Sequence, residues 1–168
     1  SKCANEQIKD EHEASELLEA QLNETIQMQS LADVPLGAFL SGGVDSSAIV
    51  TLMQNQRTDP IKTFTIGFEE TQFDESKYAQ AVASHLKTDH HEMRVTSNDA
   101  LSLIPQLPEL YDEPFADSSQ IPTYFVSQSA KQEVTVSLSG DAGDELFGGY
   151  NRYLMAPALW KKINWMPF

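Results

Sequence analysis

Ala14, Leu17, Leu18, Leu22 and Ile26 recur at spacings of three and four, which predicts an amphipathic helix over residues 11–31. The run Asp33-Val34-Pro35 ends it, because a residue before proline is pushed out of the helical region. Residues 35–40 are a short apolar run that stops at Ser41-Gly42-Gly43, the mark of a buried strand. Residues 46–53 then read as a helix with little polar surface, suited to packing on a sheet.

The alternation repeats. Residues 63–68, rich in β-branched and aromatic side chains, predict a second strand. Asp74 is placed to cap a helix with Tyr78, Ala81, Val82, His85 and Leu86 on its apolar stripe. Residues 91–95 predict a third strand, and 98–111 a helical stretch interrupted by Pro105 and Pro108. A helix over 121–131 tolerates Pro122 in its first turn. Residues 133–138 form a further strand, and 146–150 begin a short helix. Strands alternating with helices imply crossover connections and a parallel sheet, so the predicted fold is α/β, doubly wound, with helices on both faces. Such sheets bind ligands at the carboxyl ends of their strands, near a reversal of strand order. Two loops rich in glycine and serine follow the first and the last predicted strand.

The bulk properties narrow the function classes. The 168 residues suffice for one domain with a core, and 40% hydrophobic with 21% charged residues is ordinary globular composition. No apolar run reaches the roughly 20 residues that a membrane span needs. A net charge of −14 argues against a nucleic-acid partner. Residues 1–33 hold eight acids against Lys2 and Lys9, while residues 146–168 hold Arg152, Lys161 and Lys162 and no acid, a pattern expected of solvated faces. Cys3 is the only cysteine, which excludes an internal disulfide and a cysteine-based zinc site and fits a cytoplasmic setting. His90-His91-Glu92 resembles a metal cluster in composition, but neighbours on a strand face opposite ways.

The first loop, Ser41-Gly42-Gly43-Val44-Asp45-Ser46-Ser47, suits an anion: glycines for close approach, main-chain N–H groups, a helix N-terminus and hydroxyls. Asp45 would repel phosphate unless a cation such as Mg²⁺ lies between them. An ordinary strand-to-helix turn with Asp45 as a cap would have the same composition. The second loop packs Asp141, Asp144 and Glu145 among four glycines of residues 138–150, a costly crowding unless a cation compensates it or the loop is simply exposed.

The first loop resembles the pyrophosphate loop of the N-type ATP pyrophosphatases. The second, from Ser139-Gly140-Asp141 to Asp144-Glu145 and Phe147-Gly148-Gly149-Tyr150, resembles the second signature of the asparagine synthetase family, with Asp141 where the familiar enzymes carry Glu. The resemblance spans about residues 11–155 and includes the pieces Phe64 to Gly67, His90-His91-Glu92 and Asp112-Glu113-Pro114. It implies an adenine nucleotide alpha hydrolase-like fold and an ATP-dependent carbon–nitrogen ligase of the asparagine synthase type. Carried over position by position, it implies that Leu40, Ile66, Gly67, Ser139 and Gly140 line the nucleotide pocket and that Ser41, Gly42, Gly43, Asp45, Ser46 and Ser47 hold the phosphates. Asp45 and Asp144, with Glu145 in support, would bind Mg²⁺; Asp141 and Asp144 would serve catalysis, Asp141 beside the reacting carboxylate or the incoming ammonia. The substrates implied are ATP, aspartate or another carboxylate, and ammonia.

The family's glutaminase domain, with its N-terminal cysteine, has no counterpart here, so Cys3 is expected to be a bystander. The resemblance divides the chain into a leading helix at 1–33, the ATP pyrophosphatase domain at 34–155 and the start of a further region at 156–168. That last stretch is apolar and basic (Leu159, Trp160, Trp165, Phe168), and the family's catalytic lysine is not assigned to Lys161 or Lys162. This stretch alone is therefore expected to be inactive. The alternatives are a ligase of the same superfamily acting on another carboxylate, such as β-lactam synthetase, and a nucleotide-binding module without ligase activity.

Overall fold

The computed structural model describes residues 8, 10–69, 74–113 and 117–165. The sequence readings at Lys2, Cys3, Lys9, Pro114 and Phe168 lie outside the described residues.

Four strands, β1 (Leu36–Phe39), β2 (Lys62–Phe68), β3 (Asp89–Val95) and β4 (Val136–Leu138), form one sheet in the order β3-β2-β1-β4. Every pairing is parallel, with Ala38 opposite Thr63 on one side and Leu138 on the other. The chain therefore moves outward from β1 through β2 to β3, then returns to place β4 on the far side of β1. Helices α2 (Val44–Asn55) and α3 (Ser76–Leu86) cross on one face. A crossover that reverses direction while keeping its hand must use the other face. That face carries α6 (Gln120–Lys131), preceded by α4 (Ser97–Leu103), a 3-10 turn at Ile104–Gln106 and α5 (Leu107–Leu110). Pro105 and Pro108 break the predicted 98–111 helix into these three pieces.

Side-chain alternation divides the core accordingly. Leu36, Ala38 and Leu40 pack with Val50 and Met53 of α2, Ala79 and Ala83 of α3, and Ile26 of α1 (Glu11–Gln29). On the other face Phe64, Ala130 and Val134 form one cluster, and Val95, Leu103 and Phe125 another.

Five sequence expectations need correction. The stripe of α1 packs only at its carboxyl end, where Ile26 is buried; Leu17 and Leu18 are exposed. In α3 the buried residues are Ser76, Ala79 and Ala83, whereas Tyr78, Ala81 and His85 face solvent. The sheet there presents Thr63, Thr65 and Gly67, and small side chains let the helix come close. Asp74 does accept from the Ser76 N–H at 3.2 Å, but Glu75 takes the cap position. The predicted strand at 133–138 begins only at Val136, because Glu133 and Val134 still close the end of α6 on the Ala130 carbonyl. The helix expected at 146–150 is α7 (Gly143–Phe147), which starts inside the acidic loop and stops at Gly148. It is followed by α8 (Asn151–Ile163), none of whose residues is buried.

Candidate functional site

The reversal of strand order lies between β1 and β4, and the two glycine loops leave from those strands. Past β1, the Leu40 N–H still donates to the Phe64 carbonyl at 2.9 Å, so the chain is held to the sheet until the loop begins. Gly42 then takes a φ of +83°, and a Cβ on it would stand 2.6 Å from Tyr78 Cβ and 2.5 Å from the Ala79 nitrogen. Only glycine allows the loop both this left-handed turn and its contact with the first turn of α3.

The loop is braced by its own hydroxyls. Ser41 Oγ accepts from the Gly43 N–H at 3.2 Å and lies 2.9 Å from Ser46 Oγ, which accepts from the Ser41 N–H at 3.2 Å. Ser46 is buried and committed to this internal network, while the hydroxyl of Ser47 is buried without a hydrogen-bond partner. Ser41 is exposed. Gly43 occupies the N-cap of α2 with no side-chain cap, and Asp45 sits inside the first turn. Asp45 is therefore not the helix cap that the alternative reading of the loop assigned to it. The first N–H groups of α2 and their positive dipole end are left without a capping side chain, an arrangement suited to an anion.

The second loop leaves β4 at Leu138. Ser139 Oγ donates to Asp141 Oδ2 at 3.0 Å, and Ala142 adopts a left-handed φ of +71° at the N-cap of α7. The two loops meet through glycines. A Cβ on Gly140 would lie 2.6 Å from the Ser46 nitrogen and 2.9 Å from the carbonyl carbon of Asp45. One on Gly143 would collide with the Asp45 carboxylate itself. Asp45 thus lies against the residue that precedes Asp144.

Other expected site residues are not brought together. The Leu40 side chain is 1% exposed and belongs to the core on the α2 face, whereas Ile66 packs on the α6 face. Their side chains do not line one surface. Gly67 lies beneath Glu92 and Ser76, with a Cβ there 2.8 Å from Glu92 Oε1. Glu145 accepts a hydrogen bond from the Tyr150 hydroxyl at 2.8 Å. Among the described residues no three acidic, histidine or cysteine side chains converge as a metal cage.

The His90-His91-Glu92 segment splits as strand alternation requires. His90 Nδ1 lies 2.9 Å from Thr63 Oγ1, and burial lowers its pKa below the ordinary histidine value. His91 stacks on Phe64 at 5.2 Å, and Glu92 pairs with Arg94 at 2.8 Å. The sequence reading assigned no role to Gly143, Gly149 or Tyr150. Glycine beside an acid at 143-144, and an acid with a tyrosine five residues later, are the signals it held.

Comparison with known proteins places these loops in a family setting. The family described as "Asparagine synthase" matches residues 17–168. A putative glutamine-hydrolyzing asparagine synthetase 2 of Methanocaldococcus jannaschii is 47% identical over 135 residues, covering 79% of this chain and 26% of its own. A glutamine-hydrolyzing asparagine synthetase 1 of Bacillus subtilis is 40% identical over 130 residues, covering 77% of this chain and 20% of its own. The chain thus spans about a quarter or less of these relatives. Among solved structures, an ammonia-dependent NAD synthetase of Campylobacter jejuni superposes with a TM-score of 0.55 at 13% identity, covering 81% of this chain and 60% of that one. That likeness is one of fold, the adenine nucleotide alpha hydrolase-like sheet. Among the described residues no helix is long and apolar enough to cross a membrane.

Proposed function

The chain belongs to the asparagine synthase family, and on that premise we propose that it is the ATP-handling part of a carbon–nitrogen ligase that activates a carboxylate as its adenylate for attack by ammonia. The observation that carries the reading is the junction of the two loops: the uncapped start of α2 meets the acidic loop through Gly140 and Gly143, at the reversal of strand order.

In this reading the main-chain N–H groups at 44–46 receive the β and γ phosphates, and the Ser41–Ser46 hydroxyl network holds the loop in shape for them. The substrate carboxylate, that of aspartate in the simplest case, attacks the α phosphorus; the bond to the β-phosphate oxygen breaks and pyrophosphate departs. Ammonia, drawn from glutamine by another part of the protein, then displaces AMP and leaves the amide. Asp45 and Asp144 are the chain's candidate Mg²⁺ ligands, hard oxygen donors that suit this ion only when phosphate oxygens complete its shell. Mg²⁺ bound there would add positive charge opposite the departing pyrophosphate. Backbone donors already in place need no rearrangement as that charge grows, which is the source of their effect on rate. Asp141 stands exposed at the loop's edge, oriented by Ser139, where it can order the incoming nitrogen.

The shorter Asp141, where the family's familiar members carry glutamate, favours a second reading in which the acceptor is a carboxylate other than aspartate. One experiment addresses both. The intact protein is supplied with ATP, Mg²⁺, ammonium and aspartate or other carboxylic acids. AMP and pyrophosphate formed in step with an amide are the expected products. ADP and phosphate, or no acid-dependent AMP at all, would contradict the ligase reading.

A further inference from the structure

We propose that Tyr150 is a positioning residue: its hydroxyl ties down Glu145 and thereby fixes the turn that presents Asp144. The inference rests on the reading of the acidic loop given above. It moves Glu145 from the metal shell to an anchoring role.

Helix α7 has five residues, none of them buried. So short a helix is not stable by itself, and no apolar packing holds it. What holds it is polar and follows directly in sequence. The helix stops at Gly148, whose φ of +72° is a left-handed cap, and the Gly149 N–H returns to the Asp144 carbonyl at 3.0 Å. The Asp144 carboxylate lies so close against Gly149 that any Cβ there would displace it. Immediately beyond, the Tyr150 hydroxyl donates to Glu145 Oε1 at 2.8 Å. Asp144 is thereby gripped at its own backbone and bracketed by the bond from its neighbour to Tyr150.

The phenol is itself held. The Arg152 guanidinium lies 3.9 Å over the Tyr150 ring and 5.6 Å from that of Tyr153, and the two rings are 5.8 Å apart. The bond to Glu145, before any other cause, raises the Tyr150 pKa above the ordinary phenol value. The bond holds Glu145 through Oε1, next to Asp144 and two residues beyond Gly143, which packs on the Asp45 carboxylate.

The test uses the intact protein and measures the Mg²⁺ concentration that half-saturates ATP binding. Tyr150→Phe keeps the ring over which Arg152 lies and removes only the hydroxyl. It should raise that concentration about 3- to 10-fold, the scale of one hydrogen bond. Glu145→Ala, which removes the acceptor, should raise it by the same factor, and the double variant by no more than either alone, because both break one interaction. ATP binding measured with a chelator in place of Mg²⁺ should stay the same in these variants, which a general loss of structure would not leave unchanged. A metal effect in Glu145→Ala absent from Tyr150→Phe, or effects that multiply in the double variant, would make Glu145 a direct ligand and overturn the proposal. An equal loss of ATP binding with and without Mg²⁺ would overturn it too. Failure of the site reading is distinguishable: Mg²⁺-dependent binding would then be insensitive to Asp45→Asn, whereas failure of this proposal alone leaves that sensitivity intact.

Discussion

Gly143 has no side chain because the Asp45 carboxylate occupies the place where one would go. The contact joins two loops nearly a hundred positions apart in sequence, and Gly140 makes a second one against the backbone of Asp45 and Ser46. Between them these glycines set how closely the acidic loop approaches the start of α2.

Gly140→Ala should therefore damage the site more than its chemistry suggests. The added methyl would meet main-chain atoms, which cannot swing aside, so one of the loops must shift. Overpacking of this kind costs about 1–3 kcal/mol. Nucleotide binding should fall by about tenfold or more if that cost lies in the bound geometry. Gly148→Ala is the control: nothing lies within 4 Å of a Cβ there, leaving only the cost of the left-handed turn, about 1 kcal/mol. Calorimetric titration of nucleotide, with thermal unfolding alongside, checks both. Equal effects on binding would mean that loop contact is unimportant.

Asp45→Asn separates charge from shape. If the carboxylate bridges to Mg²⁺, nucleotide binding measured with Mg²⁺ should weaken while binding without metal stays the same or improves, since a repelling charge has gone. Parallel titrations with Mg²⁺ and with a chelator decide it. Equal losses in both would make Asp45 structural.

His90 gives the fold a pH dependence of known sign. Burial, the leading cause, lowers its pKa in the folded chain, partly opposed by Glu92 and assisted by His91. Thr63 bonds one ring nitrogen and the other is buried without a partner, so a proton has nowhere favourable to go. The unfolded chain binds that proton more readily, and stability rises with pH wherever it does. The contribution is present above about pH 6.5 and is lost as pH falls from there through the lowered folded value. In His90→Asn the unfolding midpoint should fall less steeply over that window, measured by denaturant titration at several pH values. Identical slopes would remove His90 as the cause.

Much of this was legible in the chain. The apolar run at 35–40 stopping at Ser41-Gly42-Gly43 marked β1, β-branched and aromatic residues marked β2, and the positions of the two loops followed from the alternation of elements. The burial of α3 was not legible. Tyr78 belongs to an apolar stripe by spacing, yet Ser76, Ala79 and Ala83 are buried, because close approach to Thr63, Thr65 and Gly67 selects small side chains. Leu40 and Ile66 read as partners in one pocket, but residue parity on adjacent parallel strands sends them to opposite faces. The bond from Tyr150 to Glu145 depends on a left-handed turn at Gly148 whose closure no periodicity encodes.

The central claim is that the meeting of the two loops is a nucleotide site. A structure of the intact protein with AMP, pyrophosphate and Mg²⁺ tests it most directly. The account predicts pyrophosphate on the main-chain N–H groups at 44–46, the metal between it and Asp45, and AMP over the carboxyl ends of β1 and β2. Nucleotide bound at another edge of the sheet, or phosphates held away from the start of α2, would contradict it.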